Sequence, residues 1–307
     1  MAASTYILEG GVWKKIQSAN IYEGSVWKNV TNIYYWNGSA WVETLTKGFV
    51  FTKTFSSGSE TDYTVTTDAT AAGWNGVDSV IANLTLSSGA IIKSSSISTY
   101  AFETTGLPAG SEVNLTLDAG TYIVGRGGFG GEGSFSVAIA YPTAGFSEGS
   151  YGGPAMNVLS TISMNLTNNG TIGGGGGGGG GGNGGEAHVT GMSFQGGSGG
   201  GGAGYGEGGP VIPGQAAAYI SGPAGDDGTL SAGGAGNGTI NQHSSNGGTG
   251  GLGGNLGSAG NSGLNNANAG WSTYASAGVG GAAGVAINGW SNINAVTEGV
   301  ILGAKNN

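Results

Sequence analysis

The chain has 307 residues, of which 71 are glycine, none is cysteine and few are charged, with 8 basic against 17 acidic side chains and a net charge of −9. That balance offers no basic stripe to a nucleic acid, and the missing cysteines exclude a disulfide framework, a thiolate metal site and a cysteine nucleophile while leaving the redox compartment open. Sparse charge is the opposite of the charge-rich, apolar-poor signature of a disordered chain, so sustained order is expected.

The start, MAASTYILEGG, has neither the basic end nor the apolar run of a signal peptide, and no stretch approaches the length of a membrane helix. A soluble protein, not exported by the general route, is expected. The next feature is a repeat: ILEGGVWKKIQSAN, IYEGSVWKNVTNIY and YWNGSAWVETLTKG begin at Ile7, Ile21 and Tyr35, a period of 14 residues. Each unit carries a turn signal (Glu9-Gly10, Glu23-Gly24, Asn37-Gly38) before Trp13, Trp27 or Trp41, which suits short antiparallel hairpins that stack their tryptophans. The tryptophans form either a small core or the anchors of an attachment module spanning residues 1–48, and the two roles are compatible.

Residues 49–124 predict an all-β domain. Val80, Ala82, Leu84 and Leu86 are read as alternating with polar neighbours, as are Val113, Leu115 and Leu117, and the turn LPAGS over residues 107–111 separates the two runs. Further strands are predicted at Phe135, Val137, Ile139 and Tyr141 and at Ile162, Met164 and Leu166, and AVTEGVILGA (Ala295 to Ala304) reads as a closing structural strand. Helix signals are nearly absent.

Only 12 of the 71 glycines precede residue 125, and the 59 that follow share residues 125–307 with two basic residues, Arg126 and Lys305, so a salt-bridged helical domain is excluded there. Glycine-rich stretches recur at 125–133, 173–185, 196–209, 222–238, 247–263 and 278–284, and the unbroken run from Gly173 to Gly182 directly follows an alternating strand. A linker would join dissimilar domains and be mixed with serine; recurrence points to architecture. Extended glycine forms a left-handed helix of three residues per turn rising about 3.1 Å per residue, so ten glycines span about 31 Å. Such a helix has no internal hydrogen bonds, and its N–H and C=O groups need like neighbours on all sides, where any inward Cβ would hold backbones apart. Collagen is excluded by the missing Gly-X-Y period and by a total of six prolines. The fold class expected is therefore an all-β N-terminal part followed by a polyglycine type II helix bundle, a glycine-rich sandwich with irregular tip loops and almost no α-helix. Its structural positions are Gly125, Arg126, Gly127, Gly173, Gly177 and Gly182.

TYIVGRGGFGG (Thr121 to Gly131), followed by NNGTIGGGGGGGGGG (Asn168 to Gly182), closely resembles the glycine-rich distal tail-fibre adhesins of T-even-type bacteriophages. The resemblance covers about residues 120–307. It implies a sandwich of polyglycine type II helices, with loops at the fibre tip that recognise an outer-membrane receptor, and an N-terminal part that binds other fibre or tail proteins. The Trp repeat departs from that family's pattern. By position the recognition segments are 186–195, 210–221, 237–246, 264–277 and 286–294, and the aromatic and polar residues chosen within them as receptor-binding are Met192, Phe194, Tyr219, His243, Trp271, Tyr274 and Trp290. The partner implied is a host outer-membrane protein or surface glycan, met by a virion component at the tail or tail-fibre tip, either as a homotrimer or as one copy capping a trimeric fibre.

No cofactor, metal or catalytic residue is expected. Gly125, Gly127 and Gly130 match the dinucleotide spacing GxGxxG without a following crossover helix. GGNGGEAHV (Gly181 to Val189) imitates a single calcium-binding nonapeptide, which cannot form a stacked site alone. His188 and His243, the only histidines, have no His-x-x-x-His spacing, and the adjacent carboxylates of Asp226 and Asp227 point apart in an extended chain. The resemblance implies a phage protein made in bacterial cytoplasm, where the sequons at Asn83, Asn114, Asn165, Asn169 and Asn237 mean little. Two other readings are a structural fibre or spacer without receptor binding and an ice-binding glycine-helix protein; the latter would need regular Thr or Ala rows.

Overall fold

The structure is a computed structural model that describes residues 48–133, 148–187, 192–194, 196–211, 219–220, 222–238, 247–265 and 276–307, together with the strands and a few turn residues between 6 and 46. The first strands are β1 (Tyr6–Glu9), β2 (Val12–Lys15), β3 (Ala19–Glu23), β4 (Val26–Val30), β5 (Asn32–Trp36) and β6 (Trp41–Thr46). They pair antiparallel two by two, with Trp13 opposite Leu8, Trp27 opposite Tyr22 and Trp41 opposite Trp36. The 14-residue period thus fixes the same cross-strand pair in each hairpin.

From residue 49 the chain winds. The first circuit is β7 (Phe49–Phe55), β8 (Gly58–Thr61) and β9 (Tyr63–Thr64), followed by the short helix α1 (Val65–Ala71); the second is β10 (Val80–Leu86), β11 (Ala90–Lys93) and β12 (Phe102–Glu103). The third is β13 (Glu112–Leu117), β14 (Tyr122–Val124) and β15 (Met156–Asn157). The fourth opens with β16 (Ser163–Asn168) and β17 (Thr171–Gly173), detours through β18 (Gly185–Ala187), β19 (Met192–Phe194) and β20 (Tyr219–Ile220), and closes with β21 (Ile287–Asn288). The last is β22 (Ile293–Thr297), β23 (Val300–Leu302) and β24 (Lys305–Asn306). Each circuit gives one strand to each of three parallel five-stranded sheets, so the molecule is a three-sided β-helix of stacked rungs. Parallel pairing requires a long return between partners, and winding supplies it without crossover helices.

Alternation along each strand decides what faces inward. Leu84, Leu115 and Leu166 stack in register on the first face, Ile92, Ile123 and Ile172 on the second, and Tyr63, Phe102, Met156 and Ile287 on the third. All are buried in one core. The outward positions stack as well. Asn114 Nδ2 donates to Asn83 Oδ1 at 3.1 Å, Asn165 Nδ2 to Asn114 Oδ1 at 2.8 Å and Asn294 Nδ2 to Asn165 Oδ1 at 3.1 Å, an amide ladder across four rungs.

The two ends of the β-helix differ. In the first rung Lys53 stands in register with Leu84 and Glu60 with Ile92. Lys53 Nζ lies 2.9 Å from Glu60 Oε1 and 2.8 Å from Asp68 Oδ2 of α1, over the Phe55 and Tyr63 rings at 4.3 and 4.9 Å. Burial pulls the Lys53 pKa down, but hydrogen bonds and charge from the two carboxylates outweigh it and the net shift is upward. Inward charge of this kind blunts a sheet end against further pairing. The last rung has no such plug, and Val296, Val300 and Leu302 are exposed.

Two insertions leave the same corner, between the second and third faces: residues 125–155 after β14 and 174–286 after β17. Within them the glycine-rich segments form neither helix nor sheet, yet at the centre every amide from Gly174 to Gly180 has a backbone acceptor. The amides of Gly175 and Gly178 donate to Gly153 and Ser150 at 2.9 and 2.8 Å, those of Gly176 and Gly179 to Ala203 and Gly200 at 3.0 and 2.8 Å, and those of Gly177 and Gly180 to Ser258 and Asn261 at 3.0 and 2.9 Å. Their carbonyls accept from three other segments: Gly176 from Gly128, Gly177 from Gly254 and Gly175 from Gly284, each at 2.8 Å. One segment therefore meets six neighbours with a three-residue period. Segment 196–203 does the same with 206–209, 223–228 and 234–237 on its far side, which arranges the stretches in three layers. The outer layers hold 149–154, 125–133 and 206–209 on one side and 258–264, 248–254 and 232–237 on the other. The middle layer holds 278–285, 173–182, 196–203 and 223–228.

The described residues are thus nearly all strand and extended chain, with one α-helix. The alternating runs at 80–86, 113–117 and 162–166 lie in β10, β13 and β16, but as stacked rungs. The closing stretch 295–304 is not one strand: it bends at Gly299, with φ of 57°, from β22 into β23. The strands expected at 135–141 lie outside the described residues. Composition changes at residue 124, whereas the sheets continue past it and take β15, β16, β17 and β21 to β24 from the glycine-rich part.

Candidate functional site

The insertions run out from the β-helix and back, and their two ends are unlike. Near the β-helix the returns are tight. One passes through Gly204 and Tyr205, both at positive φ (88° and 64°), with Lys93 of β11 5.0 Å from the Tyr205 ring centre. The second is closed by Thr229 N donating to Ala232 O at 2.8 Å, and the third turns at Gly257, with φ of 68° and its amide on Gly174 O at 2.8 Å. At the opposite end the connections are long: 134–147, 185–195, 212–221, 239–246 and 266–275. Their flanks are bonded together, with Gly182 N on Gly197 O at 2.9 Å, Gly197 N on Gly248 O at 3.0 Å, Gly263 N on Gly278 O at 2.9 Å and Gly149 N on Val279 O at 2.9 Å. A hydrogen-bonded backbone lattice brings the flanks of five connections together at one end.

Of the residues chosen from sequence, Met192 and Phe194 lie on β19, which pairs antiparallel with β18 and parallel with β20. The register sets Ser193 beside Tyr219, so segments 186–195 and 210–221 join in one three-stranded sheet. His243, Trp271 and Tyr274 lie outside the described residues, as does His188. Trp290 is elsewhere: it opens the 3-10 turn Trp290–Asn292 between β21 and β22, packs against the β-helix core and carries Lys305 Nζ 4.1 Å from its ring centre. The strand expected at Phe135, Val137, Ile139 and Tyr141 falls in the connection between the glycine-rich stretches 125–133 and 149–153, outside the described residues.

The glycine positions chosen as structural are tightly enclosed with one exception. A Cβ would lie 2.0 Å from Gly153 O at Gly125, 2.1 Å from Gly202 O at Gly127, 1.9 Å from Gly281 O at Gly177 and 2.2 Å from Gly248 O at Gly182. Gly173 is looser, with Leu256 side-chain atoms at 3.2 Å. Arg126 is held by Glu207, its guanidinium 3.0 Å from Oε1, while its carbonyl accepts from Gly153 N at 2.6 Å. Asp227 Oδ1 accepts from Gly208 N at 2.8 Å and Asp226 Oδ1 from Asn237 Nδ2 at 3.3 Å, so both carboxylates serve the lattice. Among the described residues no group of three His, Asp or Glu side chains is placed to hold a metal ion. No helix among them is long and apolar enough to cross a membrane. The chemistry on offer is contact, through side chains held on a stiff frame.

The family model described as phage tail fibre adhesin Gp38 matches residues 50–306. No curated protein matches the chain. Among solved structures, the crystal structure of the gp37-gp38 adhesin tip complex of the bacteriophage S16 long tail fiber is similar, with 23% identity, a TM-score of 0.49 and coverage of 88% of this chain and 86% of that one.

Proposed function

The chain belongs to the phage tail fibre adhesin Gp38 family, and from that premise we propose that it recognises a host outer-membrane protein through the connections gathered at the far end of its glycine-rich insertions. As a tail-fibre adhesin it is a virion component that acts at the host surface. The observation that carries the proposal is the contrast between the two ends of the insertions, long connections at one and tight turns at the other.

The glycine segments are read as polyglycine type II helices. Support comes from the three-residue period of their hydrogen bonds and from the 1.9–2.2 Å approaches a Cβ would make at Gly125, Gly127, Gly177 and Gly182. In this reading residues 125–307 are the receptor-binding part, 49–124 begin the β-helix that carries it, and 1–48 attach to another tail or fibre protein through Trp13, Trp27 and Trp41. The first two of these divide the labour within shared sheets, whereas 1–48 form two-stranded sheets of their own. Binding, not catalysis, is the task. Within the connections Met192, Phe194, Tyr219, His243, Trp271 and Tyr274 are the proposed contacts; Trp290, packed on the β-helix, is left out of that set.

The test is an exchange. Replacing 186–195, 210–221, 237–246 and 264–277 with those of a relative that infects another host transfers adsorption specificity; retained specificity places the receptor site elsewhere. Within the native chain, Trp271→Ala or Tyr274→Ala weakens binding to isolated outer-membrane receptor by about 2 kcal/mol or more while the melting temperature is unchanged.

A further inference from the structure

A second recess lies at the other end of the insertions, where they meet the third face of the β-helix. It is a cavity of about 290 Å3 lined by Ile97, Tyr100, Tyr151, Pro154, Asn288 and Asn306, with the backbone of Gly152 and Gly284 among its walls. We propose that it binds a single pyranose ring of a cell-surface saccharide.

Three properties select that chemistry. First, none of the described residues lining the cavity is charged, which leaves an anion or a cation without a counter-ion among them, and the nearby Lys305 is paired with Glu298 at 3.0 Å. Second, the lining combines tyrosine rings with side-chain amides. Tyr151 is 55% exposed, and its ring is available to the C–H face of a sugar. Asn288 and Asn306 are register partners on adjacent strands and supply the paired donors and acceptors that ring hydroxyls need. Asn288 Nδ2 is already committed to Asn157 Oδ1 at 2.9 Å, which pins the amide plane. Third, the size is at the lower edge of the roughly 300–1,000 Å3 of drug-sized pockets, enough for one ring and too small for a lipid chain.

The site is built before any ligand arrives. Gly152 N donates to Ala282 O at 2.9 Å and Gly284 N to Gly175 O at 2.8 Å, so both walls belong to the hydrogen-bonded lattice, while the asparagines stand on β21 and β24. Little ordering entropy is left to lose on binding. The described residues that line it lie outside the five long connections, so the inference does not depend on what those connections recognise.

Saturation-transfer NMR on the intact chain with the methyl glycosides of glucose, galactose, mannose and N-acetylglucosamine tests the assignment. Transfer to at least one glycoside is expected. Tyr151→Ala weakens it about tenfold or more, and a chain with 264–277 replaced retains it. Asn306→Ala, at the exposed end of β24, weakens it as well and decides the matter alone if Tyr151→Ala does not fold. Transfer to none of the four, equal transfer in both variants, or transfer to N-acetyltyrosine amide in place of a glycoside overturns the proposal, the last in favour of a protein side chain.

Discussion

The β-helix and the glycine segments meet the same demand, that buried N–H and C=O groups be paired, by opposite means. A β-helix strand bonds to the rungs on either side of it and sends every second side chain into a shared core, so apolar burial drives assembly and the ladders align it. A glycine segment of the middle layer bonds outward in six directions and buries almost no side chain, so close backbone approach replaces the apolar core. Large side chains in the glycine part stand mostly where a segment faces solvent, as at Phe129, Leu252 and Val279, each about half exposed, while Ser198 and Ala203 are small enough to be buried in the middle layer. The β-helix tolerates a change of volume inside and is particular about rung register. The lattice admits no Cβ at most inner positions, which confines larger side chains to its outer faces and connections.

The largest effect expected from that difference is at Gly177. Alanine there sets a methyl 1.9 Å from Gly281 O and forces apart a pair of segments whose amides and carbonyls have no water to turn to. Each buried group left unpaired costs about 1–3 kcal/mol, and several are lost together, so a loss of about 5 kcal/mol is expected in equilibrium unfolding. Unfolding confined to the insertion, with the β-helix intact by hydrogen exchange, would mean that the two regions are separate cooperative units.

Next comes the β-helix core. Leu115 is 1% exposed and stacks between Leu84 and Leu166. Leu115→Ala removes apolar contact and opens a cavity, and the expected cost is about 3 kcal/mol in the same measurement. Should it exceed Gly177→Ala, packing in the glycine lattice is looser than its hydrogen-bond distances imply.

Much of this contrast was legible in the sequence, unevenly. The run from Gly173 to Gly182 had only one economical explanation, because a backbone bonded on all sides cannot hold a Cβ. The alternation at Val80 to Leu86 gave the inward face of β10 directly. Winding was not read, because the insertions make the circuits unequal and hide their period. Its trace in the sequence is the triplet Asn-Leu-Thr at 83–85, 114–116 and 165–167, whose residues lie in register across β10, β13 and β16. The order of segments in the three layers could not be read at all, since one glycine stretch carries no label that tells it from another. Trp290 was chosen for its composition, and composition does not distinguish an aromatic in a connection from one closing a β-helix corner.

The smallest effect concerns the outer face of the β-helix, where side chains bond to one another in a ladder from rung to rung. Asn114 both donates and accepts in the ladder, 3.1 Å from Asn83 and 2.8 Å from Asn165. Alanine at 114 leaves Asn83 Oδ1 without that donor, while Asn165 Nδ2 retains Glu112 Oε1 at 3.1 Å. The ladder is only half-buried, so water replaces part of the loss and about 1 kcal/mol is expected, as a lower urea midpoint at unchanged slope. Asn294→Ala removes only a terminal donor and costs less. A midpoint unmoved by Asn114→Ala would mean that the outer ladder follows the register without helping to set it. The apolar columns of Leu84, Leu115 and Leu166 and of Ile92, Ile123 and Ile172 would then carry that task alone, and the β-helix would differ from the glycine lattice only in its core.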